Sequence, residues 1–194
     1  MKHDKQNPRE RILDSAFHLF RDQGYAETGI SEILTEAGAY KKSLYDHFTS
    51  KEDLAVEYLA SLTHSHADLI ERVAATSEDL ERFTDRWVDL VRRSLKNSKR
   101  QDCPIGLFAG EVASIPEMRP HVLETIDRLI RTMQRSVQQI IPLPDAEAEN
   151  LARRVFVAFQ GGMRLFYLTG EERYLTLMRE ELKYIARSVQ VVKG

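Results

Sequence analysis

Cysteine is almost missing from this chain. The single one, Cys103, rules out an internal disulfide framework and fits a reducing, cytoplasmic setting. No apolar run approaches the roughly 20 residues a membrane-spanning helix needs, so no membrane partner is expected. The first 17 residues, MKHDKQNPRERILDSAF, lack both a continuous apolar core and a small-residue cleavage site, and so do not read as a secretory signal. Strand signals are nearly absent: there is no sustained period-two alternation and no Asn-Gly hairpin turn. Repeats and low-complexity tracts are also missing. So are a glycine-rich phosphate loop and a His-Glu-x-x-His pair, and His64 and His66 stand two apart, which points them to different sides of a helix. No enzyme, cofactor or metal site is therefore expected. Nor does charge of one sign dominate. The net charge is -2, and the first 51 residues balance eight bases against eight acids. Any affinity for nucleic acid must come from where the bases sit, because phosphate contacts need only local positive charge.

Helical periodicity is present almost everywhere. Pro8 suits the first turn of a helix whose stripe is Ile12, Leu13, Ala16, Phe17, Leu19 and Phe20, and Gly24 closes it. A second helix is predicted from near Thr28–Ile30 to Gly38, with Ile30, Ile33, Leu34 and Ala37 inward. A third spans about residues 41–48, with Leu44 and Phe48 inward. Ser50-x-x-Asp53 resembles a capping box and opens a long fourth helix. The fifth carries Leu80, Phe83, Trp87, Leu90, Val91 and Leu95, and residues 96–101 (KNSKRQ) read as a loop. Pro104 opens a short sixth helix, Pro116 a seventh and Asp145 an eighth, which Gly170 ends. A ninth covers about 171–190. The expected architecture is all-α, with an N-terminal three-helix domain (1–50) joined through the helix that opens at Ser50 to a helical bundle (51–194).

The stretch from Gly24 to Asp53 concentrates the functional signal. Two short helices across a tight turn suit insertion of the second into the major groove of DNA. Lys41, Lys42 and Lys51 flank that helix, and Lys2, Lys5 and Arg9 could form an arm, whereas Arg9 and Arg11 also read as solvated helix-face charges. The segments Arg11-Ile12-Leu13-Asp14-x-Ala16, Leu19-Phe20, Gly24-Tyr25-x-x-Thr28, Ala37-Gly38, Ser43-Leu44-Tyr45-x-x-Phe48 and Ser50-Lys51-Glu52-x-Leu54 together resemble the DNA-binding domain of TetR-family transcriptional regulators.

That resemblance implies DNA contacts from residues 39–47 and Lys51: Tyr45 and Lys51 on phosphates, His47 on a phosphate, and Tyr40, Lys41, Lys42 and Ser43 on base edges or nearby phosphates, with Ala39 leading the segment. It also implies a near-palindromic duplex operator, and a homodimer formed by the last two long helices. Three positions depart from the family pattern. Lys42 stands where glycine is usual, Tyr40 where a small polar residue is usual, and Gly29 where a threonine is frequent. The operator therefore cannot be carried over from a relative.

In the bundle, Asp102-Cys103-Pro104 resembles a TetR subgroup whose sixth helix opens with Gly-Cys, some members of which sense oxidants or electrophiles. A helix N-terminus lowers a thiol pKa and Asp102 raises it. Cys103 is then either a sensor or a small buried hydrophobe. Trp87, Phe108, Phe159 and Tyr167 are core residues that could also line a cavity for a small-molecule effector. Glu111 and Arg164 sit in apolar stretches, where they could orient a ligand, pair with each other or face solvent. Gly161-Gly162 inside the eighth helix suggests a close approach, since interior glycine costs about 1 kcal/mol against alanine. The leading expectation is a ligand-released, homodimeric repressor. The rivals are a redox regulator acting through Cys103 and an all-α metabolite-binding protein whose triplet only packs.

Overall fold

The computed structural model describes residues 7–96 and 99–189. Among them are nine α-helices and no strand: α1 (Pro8–Gln23), α2 (Ile30–Ala37), α3 (Lys41–Tyr45), α4 (Lys51–Ala74), α5 (Leu80–Lys96), α6 (Pro104–Val112), α7 (Arg119–Ile140), α8 (Asp145–Thr169) and α9 (Arg173–Ser188). The all-α expectation holds. The proposed Lys2 and Lys5 arm, part of the 96–101 loop and the end of the ninth helix at 190 lie outside the described residues.

The chain forms two compact units. One comprises the described residues up to Leu62 together with Leu107–Thr125. The other comprises Thr63–Gly106 and the described residues from Ile126 onward.

In the first unit, α1 starts where Asn7 accepts a hydrogen bond from the Glu10 amide (2.9 Å) and Pro8 fills the first helical position. Its buried edge of Ile12, Ala16, Leu19 and Phe20 packs against α2 and α3. Phe17, Phe20, Tyr25, Tyr58 and Phe108 form an aromatic cluster, with Tyr58 and Phe108 edge-to-face at 4.7 Å.

Two boundaries in this unit differ from the sequence expectation. The third helix stops at Tyr45 rather than near Phe48, because the Leu44 carbonyl draws in the amides of both His47 (3.0 Å) and Phe48 (2.8 Å), tightening the chain into a turn. The seventh helix starts at Arg119, not Pro116. Pro116 lies in a turn closed by the Met118 amide on the Ile115 carbonyl (3.0 Å), and Pro120 is the proline of the first helical turn.

The capping box at the start of α4 is present in a shifted form. Ser50 Oγ accepts from the Asp53 amide (3.3 Å), while Asp53 reaches back to the Thr49 amide (2.7 Å) and hydroxyl (2.5 Å). Those Thr49 bonds hold the Asp53 carboxyl below its ordinary range. A group depressed in the folded state stabilises above its unfolded pKa, about 3.9, and that contribution is lost as pH falls through the folded value. Asp53→Ala should therefore cost about 1 kcal/mol in urea unfolding at neutral pH. The difference from the parent should shrink as pH drops below about 3.9; a pH-independent difference would deny the carboxylate this role.

In the second unit, α5 and α9 pack side by side with a ladder of charges between them. Glu81, Asp85 and Asp89 recur every four residues on α5, and Arg179, Lys183 and Arg187 do so on α9. The pairs are Arg187–Glu81 (2.7 Å), Lys183–Asp85 (2.8 Å), Arg179–Asp85 (3.1 Å) and Arg179–Asp89. Their order fixes an antiparallel register. Surface pairs of this kind contribute little stability each, so the ladder chooses register rather than holding the unit together. That task falls to buried Leu80, Phe83, Leu175, Met178, Leu182 and Ile185. The close approach expected at the paired glycines occurs at one of them: a side-chain carbon on Gly162 would fall 2.5 Å from Met178 Cβ, whereas one on Gly161 would meet nothing within 4 Å.

Candidate nucleic-acid interface

The α2–α3 corner is set by backbone geometry. Gly38 adopts a left-handed conformation (φ 55°). Its amide bonds the Thr35 carbonyl (3.2 Å) and the next amide, Ala39, bonds Leu34 (3.0 Å), which together make a Schellman closure. A side chain at Gly38 would strain this corner. Tyr40 is extended and begins α3 with no side-chain cap.

α3 is short and two-faced. Leu44 is 0% exposed and, with Ile33, Ala37 and Phe48, pins the helix to the unit's core. Burial of one leucine is worth roughly 1.5–3 kcal/mol, enough to hold a helix too short to persist alone. The outer face is Tyr40 (84% exposed), Lys41, Lys42 and Tyr45 (52% exposed), with Ala39 and Ser43 half-buried at its flank. Neither Lys41 nor Lys42 is paired with a carboxylate among the described residues. Asp46 and His47 are exposed just beyond the helix, and the His47 ring lies edge-on to Phe48 at 6.5 Å. The structure thus brings seven of the eight sequence-nominated residues onto one continuous segment.

Lys51, the eighth, sits at the first position of α4. It is half-buried, with its ammonium 4.0 Å over the ring of Tyr25. Burial pulls its pKa down, opposed by neighbouring Glu52. Tyr25 supports Lys51 from below, a role the sequence reading missed. Its hydroxyl donates to Glu52 (2.7 Å) and its amide to Glu111 (2.6 Å), and burial beside Glu52 pushes its phenol well up. Arg9 pairs with Glu57 (2.7 Å) and lies over Phe48 while remaining partly solvent-exposed.

The residues nominated for an effector cavity separate. Trp87, Cys103 and Phe159 line one cavity of about 230 Å³ in the second unit, together with Leu69, Arg72 and Met163. Trp87 and Phe159 stack at 4.6 Å. Phe108 and Glu111 belong instead to the first unit, in the aromatic cluster and on the Tyr25 amide. Arg164 pairs with buried Asp102 (3.2 Å) and lies over the ring of Tyr167, and neither Arg164 nor Tyr167 is in the cavity wall. Burial pushes Asp102 up against the opposing pull of the Cys103 amide and Arg164.

Cys103 is buried, receives a weak bond from Gln160 (3.5 Å) and stands 4.0 Å from His66 Nε2. The helix amides of Ile105 and Gly106 favour its thiolate, as expected at a helix start, but burial outweighs them and pushes the thiol up. In the folded protein at neutral pH, Cys103 should therefore alkylate with iodoacetamide at least about ten-fold more slowly than free cysteine; labelling at the free rate would show an accessible thiolate.

A short outward-facing helix locked across a left-handed glycine turn defines a helix-turn-helix unit. Residues 12–58 match the family described as bacterial regulatory proteins, tetR family. The chain is 28% identical over 182 residues to an HTH-type transcriptional regulator of Bacillus subtilis, YxaF, covering 92% of this chain and 95% of that one. It is 36% identical over 113 residues to LmrA of the same organism, covering 54% and 57%. Its fold is shared with a TetR transcriptional regulator from Legionella pneumophila (TM-score 0.77, 23% identity, 94% and 99% covered) and with a TetR-family regulator from Streptomyces coelicolor (TM-score 0.77, 20% identity, 94% and 95% covered). Residues 12–58 are thus similar to the DNA-binding domain of the TetR family, and most of the chain is similar to an HTH-type transcriptional regulator. Among the described residues, no helix is long and apolar enough to cross a membrane.

Proposed function

We propose that this protein is a homodimeric repressor that binds a near-palindromic duplex operator through paired copies of α3 and is released by a small-molecule effector. The observation that carries the reading is the exposed face of α3: two lysines without acidic partners among the described residues, and two outward tyrosines at a helix whose other face is pinned by buried Leu44. Solvent-facing aromatics and unneutralised cations on a pinned helix suit duplex contact better than packing. In this role Lys41, Lys42 and Ser43 reach base edges or adjacent phosphates, Tyr40 reaches into the groove, and Tyr45, His47 and Lys51 hold phosphates. Lys51 would do so from its place over Tyr25.

Dimerisation is supported by α8 and α9. Val157, Leu165 and Leu168 are exposed on α8 at spacings close to helical turns, and open Gly161 lies between Val157 and Leu165. Leu177 and Tyr184, seven apart, are exposed on α9. Large apolar side chains gathered this way mark an association surface.

The effector site that fits is the cavity beside Trp87 and Phe159. An effector shifts the equilibrium only by its differential affinity for DNA-competent and DNA-incompetent states. Release through modification of Cys103 is less favoured, because the thiol is buried and burial pushes its pKa up. Selection of bound sequences from a random duplex pool tests the reading. Enrichment of two inverted half-sites is expected, and a pool that stays random would refute it.

A further inference from the structure

The cavity wall that holds Trp87 and Phe159 carries a polar asymmetry that defines a ligand class. Its acid is already satisfied: Asp102 is buried, accepts the Cys103 amide (2.7 Å) and pairs with Arg164 (3.2 Å). Its cation is not. Arg72 lines the cavity from α4 one helical face along from Leu69 and His66, its side chain reaches solvent, and no described carboxylate pairs with it. The adjoining open cleft, of about 300 Å³, is also lined by Arg72 and adds Arg86 and Arg93. Its one acid, Asp89, is engaged by Arg179. The inner wall is apolar and aromatic: Leu69, Trp87, Phe159 and Met163. The volume, about 230 Å³, is below the roughly 300–1,000 Å³ of sites for drug-sized ligands.

We infer that this cavity takes a small apolar carboxylate, its hydrocarbon or aromatic body against Trp87, Phe159 and Met163 and its carboxylate on the guanidinium of Arg72. A cationic ligand finds no vacant acid there, and a neutral one leaves Arg72 unused. A guanidinium offers a carboxylate two parallel N–H donors, which an alcohol cannot match. The inference rests on the effector reading above and specifies the chemistry of that site.

The test uses the full chain without DNA. Trp87 is the only tryptophan, so its emission reports on the cavity directly. 4-Phenylbutyrate, 4-phenylbutanol and 4-phenylbutylamine present the same body with an acid, a neutral and a basic end. The acid should change Trp87 emission at about ten-fold lower concentration than either of the others, as one charge-assisted contact implies. Arg72→Gln should erase that preference, and Arg72→Lys should retain most of it. Arg72 is exposed, so neither variant should disturb folding. The inference is overturned if the three probes bind alike, if the preference survives Arg72→Gln, or if the acid leaves emission unchanged up to about millimolar concentration. If the probes are silent but the protein still retains duplex DNA, only the ligand class is lost. If the acid is preferred but the protein retains no duplex, the cavity assignment stands and the repressor reading fails.

Discussion

The Lys41→Ala/Lys42→Ala variant is expected to lose on the order of a hundred-fold in operator affinity and to bind with a much shallower salt dependence. Each lysine that neutralises a phosphate contributes about one to the slope of log affinity against log salt, so two lysines on each of two protomers remove up to about four. Both side chains are exposed and unpaired with acids among the described residues, and α3 is held from its other face by Leu44. The unfolding midpoint should therefore stay close to the parent's. Tyr45→Ala, by comparison, should weaken all duplexes alike, because a phosphate contact carries no sequence information. Anisotropy titrations over a salt series, paired with urea unfolding, separate these effects. Unchanged affinity and slope in the double lysine variant would remove α3 from the interface.

Val157→Glu/Leu168→Glu should yield a monomer. The two side chains are 71% and 66% exposed on one protomer, so charges there cost the isolated chain little. A two-fold interface would meet each substitution twice, placing four carboxylates in an apolar seam. Burying a charge without a partner is far more costly than the loss of a contact. Light scattering should show the parent at twice the 22.4 kDa chain mass and the variant at the single-chain mass. Operator affinity should fall by roughly 10²–10⁴, because the two reading heads no longer share an effective concentration. A variant that remains dimeric would place the association surface elsewhere.

The helices were legible because amphipathic spacing, prolines and terminal glycines agree. Gly24, Gly38 and Gly170 each end a helix with positive φ where the sequence marks a stop. The missed boundaries have different causes. At Phe48 the apolar pattern continues while backbone bonds already close a turn, and hydrophobic spacing cannot tell a helix from a packed turn, whereas Pro116 and Pro120 can each open a helix and only the backbone bonds show which one does. Asn7 was readable as a cap before Pro8, and the acids and bases recurring every four residues on α5 and α9 were readable as complementary stripes. What joins Tyr25 to Glu52 and Glu111, across 27 and 86 residues, leaves no local trace. The same limit explains the effector residues. Trp87, Cys103 and Phe159 converge, but Phe108 and Glu111 fall in the other unit, since aromatic content alone does not say which core a side chain joins. Arg72 gave no signal, because a surface arginine becomes notable only once its lack of an acid partner is visible.

In the proposed repressor, paired copies of α3 read duplex DNA. Hydroxyl-radical footprinting of the full chain on a duplex selected from the random pool tests it most directly. The expected result is two protected half-sites about one helical turn apart, roughly 34 Å, on one face of the duplex, both lost with Lys41→Ala/Lys42→Ala. Uniform protection along the duplex, or half-sites that persist in that variant, would contradict it.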